Sequence, residues 1–212
     1  MTLRAVIFDI GGVVLGSPLH AIAEYEKELG LPPNFVNHVV VETAPGGAWS
    51  RLERGEISME NFYAAFEQDC SAAGPAFSAR EMMTRIGQVT QPRQNMLDAI
   101  GRIRTSGLKL AALTNNWASE PDAKEEDETS SLHSLFDVFV ESSVEGLRKP
   151  DPRIYELVCE RLEISPSEAV FLDDIGRNLK SARALGMQTI KVDTPEQALR
   201  ELSQLLDLEL LD

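Results

Sequence analysis

Asp9, Thr114, Asn115, Lys149 and the pair Asp173-Asp174 are the residues of this 212-residue chain whose types and surroundings suit one chemistry. Carboxylates brought together from distant segments make a hard, oxygen-rich site suited to Mg²⁺. A hydroxyl and an amide hydrogen-bond phosphate oxygens, and a lysine supplies compensating positive charge. With phosphate charge shielded in this way, Asp9 is placed to attack phosphorus and form an aspartyl-phosphate. The Gly11-Gly12 turn that follows offers backbone N–H groups as a small anion-binding nest. Each part has a role in phosphoryl transfer, and none has an evident one in redox or radical chemistry.

Residues this far apart meet only if the fold delivers them to one place. Residues 3–8 (LRAVIF) form a short apolar, β-branched run that ends at Asp9 and a glycine-rich turn. The same grammar recurs at 108–113 (LKLAAL), 136–140 (FDVFV), 169–172 (AVFL) and 189–192 (TIKV), each run stopping at polar residues. Apolar residues three and four apart at 154–162 and 195–206 read as helices. Strands alternating with helices imply an α/β fold, a parallel sheet covered on both faces, with ligands bound at the carboxyl ends of the strands. Asp9, Thr114, Asn115, Asp173 and Asp174 all fall at such ends.

Between about 17 and 92 the alternation stops. Helical stretches at 21–29, 35–41, 58–70 and 79–87 follow one another, separated by turn signals at Gly30, Pro32-Pro33, Pro45-Gly46-Gly47, Gly55 and Gly74-Pro75. The expected organisation is therefore a core of 1–16 and 93–212 with an all-helical insertion at 17–92. Residues 121–131 (DAKEEDETSS after Pro121) read as an acidic loop. No GxxxxGK[ST] phosphate loop occurs, and Gly16 falls one residue late for a GxGxxG fingerprint.

Composition excludes more than it selects. With 43% hydrophobic and 25% charged residues the chain is globular rather than disordered. A net charge of −14 and a pI near 4.7 leave no surplus of cations for nucleic acid or for anionic membranes, so neither is an expected partner. No apolar run approaches the roughly 20 residues that span a bilayer. Cys70 and Cys159 stand outside any CxxC or metal-like cluster and read as reduced structural thiols. The first ten residues are too short an apolar run for a signal core, and the tail carries no organelle address, so a cytoplasmic location is expected.

FDIGGVV at 8–14, LTNN at 113–116, RKPDPRIY at 148–155 and FLDDIGRN at 171–178 resemble, in order and context, the four signatures of the haloacid dehalogenase (HAD) superfamily. The resemblance extends to RGEIS at 54–58 and to 166–187, and the inserted segment is similar to the helical C1 cap of that superfamily. Within it, the phosphatase domain of bifunctional soluble epoxide hydrolases and the domain preceding some acyl-CoA dehydrogenase-family proteins look nearest. The resemblance implies a Rossmann-like core and a cap that closes over the site and selects the substrate. It implies that Asp9 is the nucleophile and a Mg²⁺ ligand, that the carbonyl of Gly11 and Asp174 are further ligands, and that Asp173 supports the metal directly or through water. Thr114 and Asn115 would hold the phosphoryl group, and Lys149 would stabilise charge on nucleophile and phosphate. Asn178, one helical turn beyond Asp174, either supports the metal ligands or simply sits near a helix N-terminus.

One departure stands out. Typical phosphatases of the superfamily carry a general acid/base Asp two residues after the nucleophile, and this chain carries Gly11. The main-chain ligand survives, whereas a proton donor of the kind that contributes about 10²–10⁴-fold is missing. The expected activity is a Mg²⁺-dependent phosphohydrolase of a small phosphorylated metabolite, slowed for alkoxide leaving groups. The alternative is a catalytically impaired domain that binds or assembles. Retention of Asp173-Asp174 argues against a dehalogenase, and the missing acid/base against a phosphomutase. A receiver domain would carry its acid pair on the first strand. Trp49, Phe35 and Arg51 in the insertion read as packing more readily than recognition, and His20, His38 and His133 match no motif. The substrate, the choice between monomer and homodimer, and membership of a larger fused protein stay open at this level.

Overall fold

Apolar runs without polar alternation form the three inner strands of a five-stranded parallel sheet, as expected of strands buried on both faces. They are β1 (Ala5–Phe8), β2 (Lys109–Thr114) and β4 (Ala169–Asp173). The more polar β3 (Val138–Glu141) and β5 (Gln188–Lys191) are the edges, in the order β3-β2-β1-β4-β5. This computed structural model describes residues 2–71, 77–118 and 132–211, so the acidic stretch 121–131 lies outside it. All five expected strands are present. The third begins two residues later than its hydrophobic run, because Phe136 packs into the core and Asp137 accepts a hydrogen bond from the Leu110 N–H before the ladder starts.

Alternation along the strands divides the core. Val6 and Phe8 face α6 (Gln94–Thr105) and α10 (Pro195–Leu206), through Met96, Ile100 and Ile103 and through Leu199 and Leu202. Ala5 and Ile7 face the opposite layer, α8 (Pro152–Leu162) and α9 (Gly176–Ala184). Two of these helices start where local chemistry dictates. Asp151 caps α8 with Pro152 in its first turn, and Thr194 and Gln197 close a capping box on α10.

Between β1 and α6 lie α1 (Pro18–Glu28), α2 (Phe35–Thr43), α3 (Ala48–Glu53), α4 (Met59–Asp69) and α5 (Ala79–Val89). They bury a cluster of their own, with Tyr25, Trp49, Phe62, Phe66, Met82 and Ile86 at its centre; Trp117 packs against it from the loop after β2. α3 is the helix that hydrophobic periodicity passes over, since six residues are less than two turns. The chain enters and leaves this layer side by side. Leu15 bridges Pro92, the Gly16 N–H donates to the Gln91 carbonyl at 2.9 Å, and the Arg93 N–H donates to the Val14 carbonyl at 2.9 Å. A short helix, α7 (Ser142–Glu145), follows β3. No helix among the described residues is long and apolar enough to cross a membrane.

Candidate active site

The sheet register brings the acids together. Phe8 pairs with Leu172 on one side and Ala112 on the other, so Asp9 and Asp173 are level, one residue past their pairs. The strand order reverses between β1 and β4, the switch point at which open α/β sheets leave a crevice for ligands. Asp174 follows on the same loop, and one carboxylate oxygen from each of Asp9, Asp173 and Asp174 lies within 4.8 Å of the others. Thr114 ends β2, buried, with its hydroxyl 3.4 Å from the Asn115 carbonyl.

Lys149 stands at the centre of this group. Its ammonium, 1% exposed, lies 2.8 Å from Asp9 Oδ1 and 2.8 Å from Asp173 Oδ2. The Asp173 carboxylate is fully engaged: it also accepts from Asn178 Nδ2 at 3.0 and 3.1 Å and from the Ile175 N–H at 2.7 Å. Asn178, itself held through its carbonyl by the Tyr155 hydroxyl, is thus a direct partner of Asp173. Asp9 Oδ1 also accepts from the Ile10 N–H at 2.7 Å, and Asp9 Oδ2 carries no hydrogen bond among the described residues. Asp174 Oδ2 accepts from the Ser17 hydroxyl at 3.2 Å.

Asp9 and Lys149 are both shifted upward, for different reasons. Burial pushes the Asp9 carboxyl well above the usual range; Lys149 opposes this, and Asp173 and Asp174 reinforce it. Burial pulls the Lys149 ammonium down, but Asp173 and Asp9 together outweigh it and hold the group above its ordinary value. Burial likewise raises Asp174, helped by Asp173. One ammonium shared among three carboxylates satisfies the lysine and leaves the acids under-compensated.

The two glycines of the turn differ. Gly12 has φ +85°, and a Cβ there would lie 2.2 Å from Asp174 Oδ2, so only glycine lets the Asp174 carboxylate in. Gly11 has φ −68° and ψ 123°, open to any residue, and a Cβ there would meet only Pro18 Cδ at 3.9 Å.

The sequence model of the haloacid dehalogenase-like hydrolase family matches residues 3–186, nearly the whole sheet and all of the inserted helices. This chain belongs to the haloacid dehalogenase-like hydrolases. It is 42% identical over 211 residues to acyl-CoA dehydrogenase family member 10 of Mus musculus and 33% identical over 222 residues to bifunctional epoxide hydrolase 2 of Sus scrofa. Those alignments take in 98% and 100% of this chain but only 19% and 40% of the relatives, so the chain spans well under half of either protein. A sesquiterpene phosphatase of Aspergillus oryzae is 29% identical over 206 residues, 97% of each chain. A HAD-family enzyme of Bacteroides thetaiotaomicron, crystallised with magnesium and inorganic phosphate, shares the fold, with a TM-score of 0.63 and 20% identity over 89% of this chain and 93% of that one.

In this chain several neighbours of the signature residues carried no signal in the sequence. Arg93 Nη1 donates to the Gly12 carbonyl at 2.8 Å, tying the turn after Asp9 to the start of α6. Ser17 reaches Asp174 from the strand-to-helix connection. Both amide hydrogens of Asn115 are engaged, by the Lys149 carbonyl at 3.1 Å and by Glu53 Oε2 at 3.4 Å, while its Oδ1 accepts from the Lys149 N–H at 2.8 Å. Glu53 and Arg148 form a largely buried ion pair at 2.5 Å between α3 and the residue before Lys149. None belongs to a recognisable spacing, since every one of these contacts is made at long range. Trp49 is buried in the helical cluster and Arg51 is exposed; His20 and His38 are exposed, and His133 stacks on Phe139 at 3.8 Å between ring centroids. Both thiols are buried, which pushes Cys70 up to about 12 and Cys159 up to about 11 and leaves them unreactive.

Proposed function

We propose that this chain is a Mg²⁺-dependent phosphohydrolase of small phosphorylated metabolites that works through an aspartyl-phosphate at Asp9. The observation that carries the reading is the Lys149 ammonium, held 2.8 Å from both Asp9 and Asp173, with Asp174 closing a three-carboxylate cluster. Three carboxylates against one ammonium leave an excess of negative charge in a hard oxygen site, which fits a small divalent cation. The Gly12 cradle around Asp174 fits it too, since it holds that carboxylate hard against the turn. Asp9, Asp174 and the Gly11 carbonyl would hold the ion, with Asp173, whose oxygens already accept from Lys149, Asn178 and the Ile175 N–H, supporting it directly or through water. When bound, Mg²⁺ supplies Lewis-acid shielding of the phosphoryl oxygens.

The chain's own groups divide the remaining work. Thr114, at the end of β2, and the Gly11-Gly12 turn receive the phosphoryl oxygens, with Asn115 beside them. Asp9 Oδ2 attacks phosphorus, the bond to the leaving oxygen breaks, and Asp9 carries the phosphoryl group. Lys149 holds Asp9 Oδ1 so that the other oxygen faces the substrate, and it offsets charge as it develops. Water then attacks phosphorus and the bond to Asp9 breaks; one water proton stays on the phosphate, the other passes to solvent, and inorganic phosphate leaves. With glycine at position 11 no side chain there protonates the departing oxygen, so acyl and aryl phosphates are favoured over alkyl ones. Residues 17–92 serve as the cap over a core formed by 1–16 and 93–212, a division supported by the separate hydrophobic cluster and the paired crossings at 15–16 and 91–92.

Gly11 also favours a second reading, an impaired domain that binds without turnover. Steady-state hydrolysis of p-nitrophenyl phosphate with Mg²⁺, compared with Asp9→Asn, separates the two. Turnover abolished by Asp9→Asn supports the phosphohydrolase, and turnover absent from both proteins supports the binding module.

A further inference from the structure

The Glu53 carboxylate is nearly excluded from solvent, its side chain 8% exposed, yet it belongs to the inserted helices rather than to the sheet that carries the signature residues. Its Oε1 accepts from Trp49 Nε1 at 2.9 Å, and its Oε2 accepts from Arg148 Nε at 2.5 Å and Asn115 Nδ2 at 3.4 Å. Arg148 Nη1 adds a bond to Ser50 Oγ at 3.0 Å. One anion therefore touches both segments that frame the site: Asn115, whose amide clasps the main chain of Lys149 on both sides, and Arg148, the residue before Lys149. The end of α3 is seated closely here, since a Cβ at Gly55 would fall 2.3 Å from the Ser143 carbonyl. Arg177 adds a reason for the charge. Its Nε is buried without a hydrogen-bond partner among the described residues; burial and then Arg148 hold its guanidinium below the usual arginine range, and Glu53 and Asp173 oppose them.

We propose that Glu53 is a positioning residue, which from the inserted helices sets Asn115 and Lys149 in register with Asp9 through Arg148 and the Asn115 amide. This rests on the phosphohydrolase reading above. Without the anion, Arg148 loses its ion-pair partner, and the clasp on Lys149 loses its outer support. Misplacement of about 1 Å costs on the order of 10²-fold in rate, so loss of this support should fall on kcat rather than KM.

The test compares wild type, Glu53→Gln, Arg148→Met and the double variant on p-nitrophenyl phosphate with Mg²⁺. Inorganic phosphate is titrated in parallel against tryptophan emission, and each protein is melted. The chain's two tryptophans report the seam directly: Trp49 donates to Glu53 and lies edge-on to Trp117 at 6.1 Å, two residues after Asn115. Each single variant should lower kcat about 10- to 100-fold with KM changed less than about threefold, and should shift the phosphate-dependent emission. The double variant should be no worse than the weaker single by more than about threefold, since both act on one network. Wild-type kcat in Glu53→Gln, losses that multiply in the double variant, or a loss that disappears at a temperature where the variant is fully folded would each overturn the proposal and leave the phosphohydrolase reading standing. A wild type that neither hydrolyses the ester nor responds to phosphate overturns both.

Discussion

Placing an acid at position 11 should convert this site from one that releases stabilised leaving groups into one that also releases alkoxides. Gly11→Asp is structurally permitted: the backbone lies at φ −68°, ψ 123°, and a Cβ there meets only Pro18 Cδ at 3.9 Å. A general acid contributes about 10²–10⁴-fold, and at 1.36 kcal/mol per tenfold this is about 2.7–5.4 kcal/mol of barrier. Part of that is lost, because the new carboxylate joins Asp9, Asp173 and Asp174 around a single ammonium. Allowing roughly a tenfold loss for like-charge repulsion, the expected gain in kcat/KM is about 10- to 10³-fold on an alkyl phosphate such as glycerol phosphate. On p-nitrophenyl phosphate, whose aryl oxide leaves without a proton, the gain should stay under about threefold. Both esters are assayed at saturating Mg²⁺, with Gly11→Asn as a control of equal bulk and no acidic proton. An equal gain on both esters, no gain on either, or an Asn variant as fast as the Asp variant would refute the assignment of position 11 as the missing proton donor.

Three further outcomes follow from the same geometry. Gly12→Ala forces a side chain into φ +85° and to within 2.2 Å of Asp174 Oδ2; denaturant melts should show a loss of about 1–3 kcal/mol from backbone strain alone, and calorimetry should show weakened Mg²⁺ binding. Lys149→Met leaves Asp9 and Asp173 buried and facing each other without their cation, a change that costs about 3–5 kcal/mol in broken buried pairs and should abolish turnover. The third concerns pH. A group whose folded pKa lies above its unfolded one stabilises the protein below the unfolded value, and that contribution is lost as pH rises through the folded value. Burial holds Asp9 well above 3.8 in the metal-free protein, so its ionisation at neutral pH opposes folding. Asp9→Asn should therefore raise Tm in EDTA at about pH 8, with the gain shrinking toward about pH 4, and a flat difference across that range would contradict the account.

Much of this architecture was legible because it is local. Each inner strand is a largely apolar run suited to a covered sheet, and at its carboxyl end comes the polar residue that the edge presents: Asp9 just past β1, Thr114 closing β2 and Asp173 closing β4. Helices α8 and α10 carry their own start signals in Asp151-Pro152 and Thr194-Pro195-Glu196-Gln197. Helix α3 was not legible, because six residues are too few to show a period. Nor were Glu53, Ser17 and Arg93 as neighbours of the site: the Arg148–Glu53 pair joins residues 95 apart, and Ser17 and Asp174 are 157 apart.

The sequence alone therefore determined which residue types meet and at which strand ends, since the hydrophobic period and the polar stops are written along the chain. It marked the absent acid at position 11 as well, since identity needs no coordinates. Only the tertiary structure decided how the charges are shared. Parallel register sets Asp9 level with Asp173, one buried ammonium is left to serve both, and Gly12 alone has no room for a side chain beside Asp174. Burial and distance set the strength of a charge, and both are properties of packing that no linear spacing encodes.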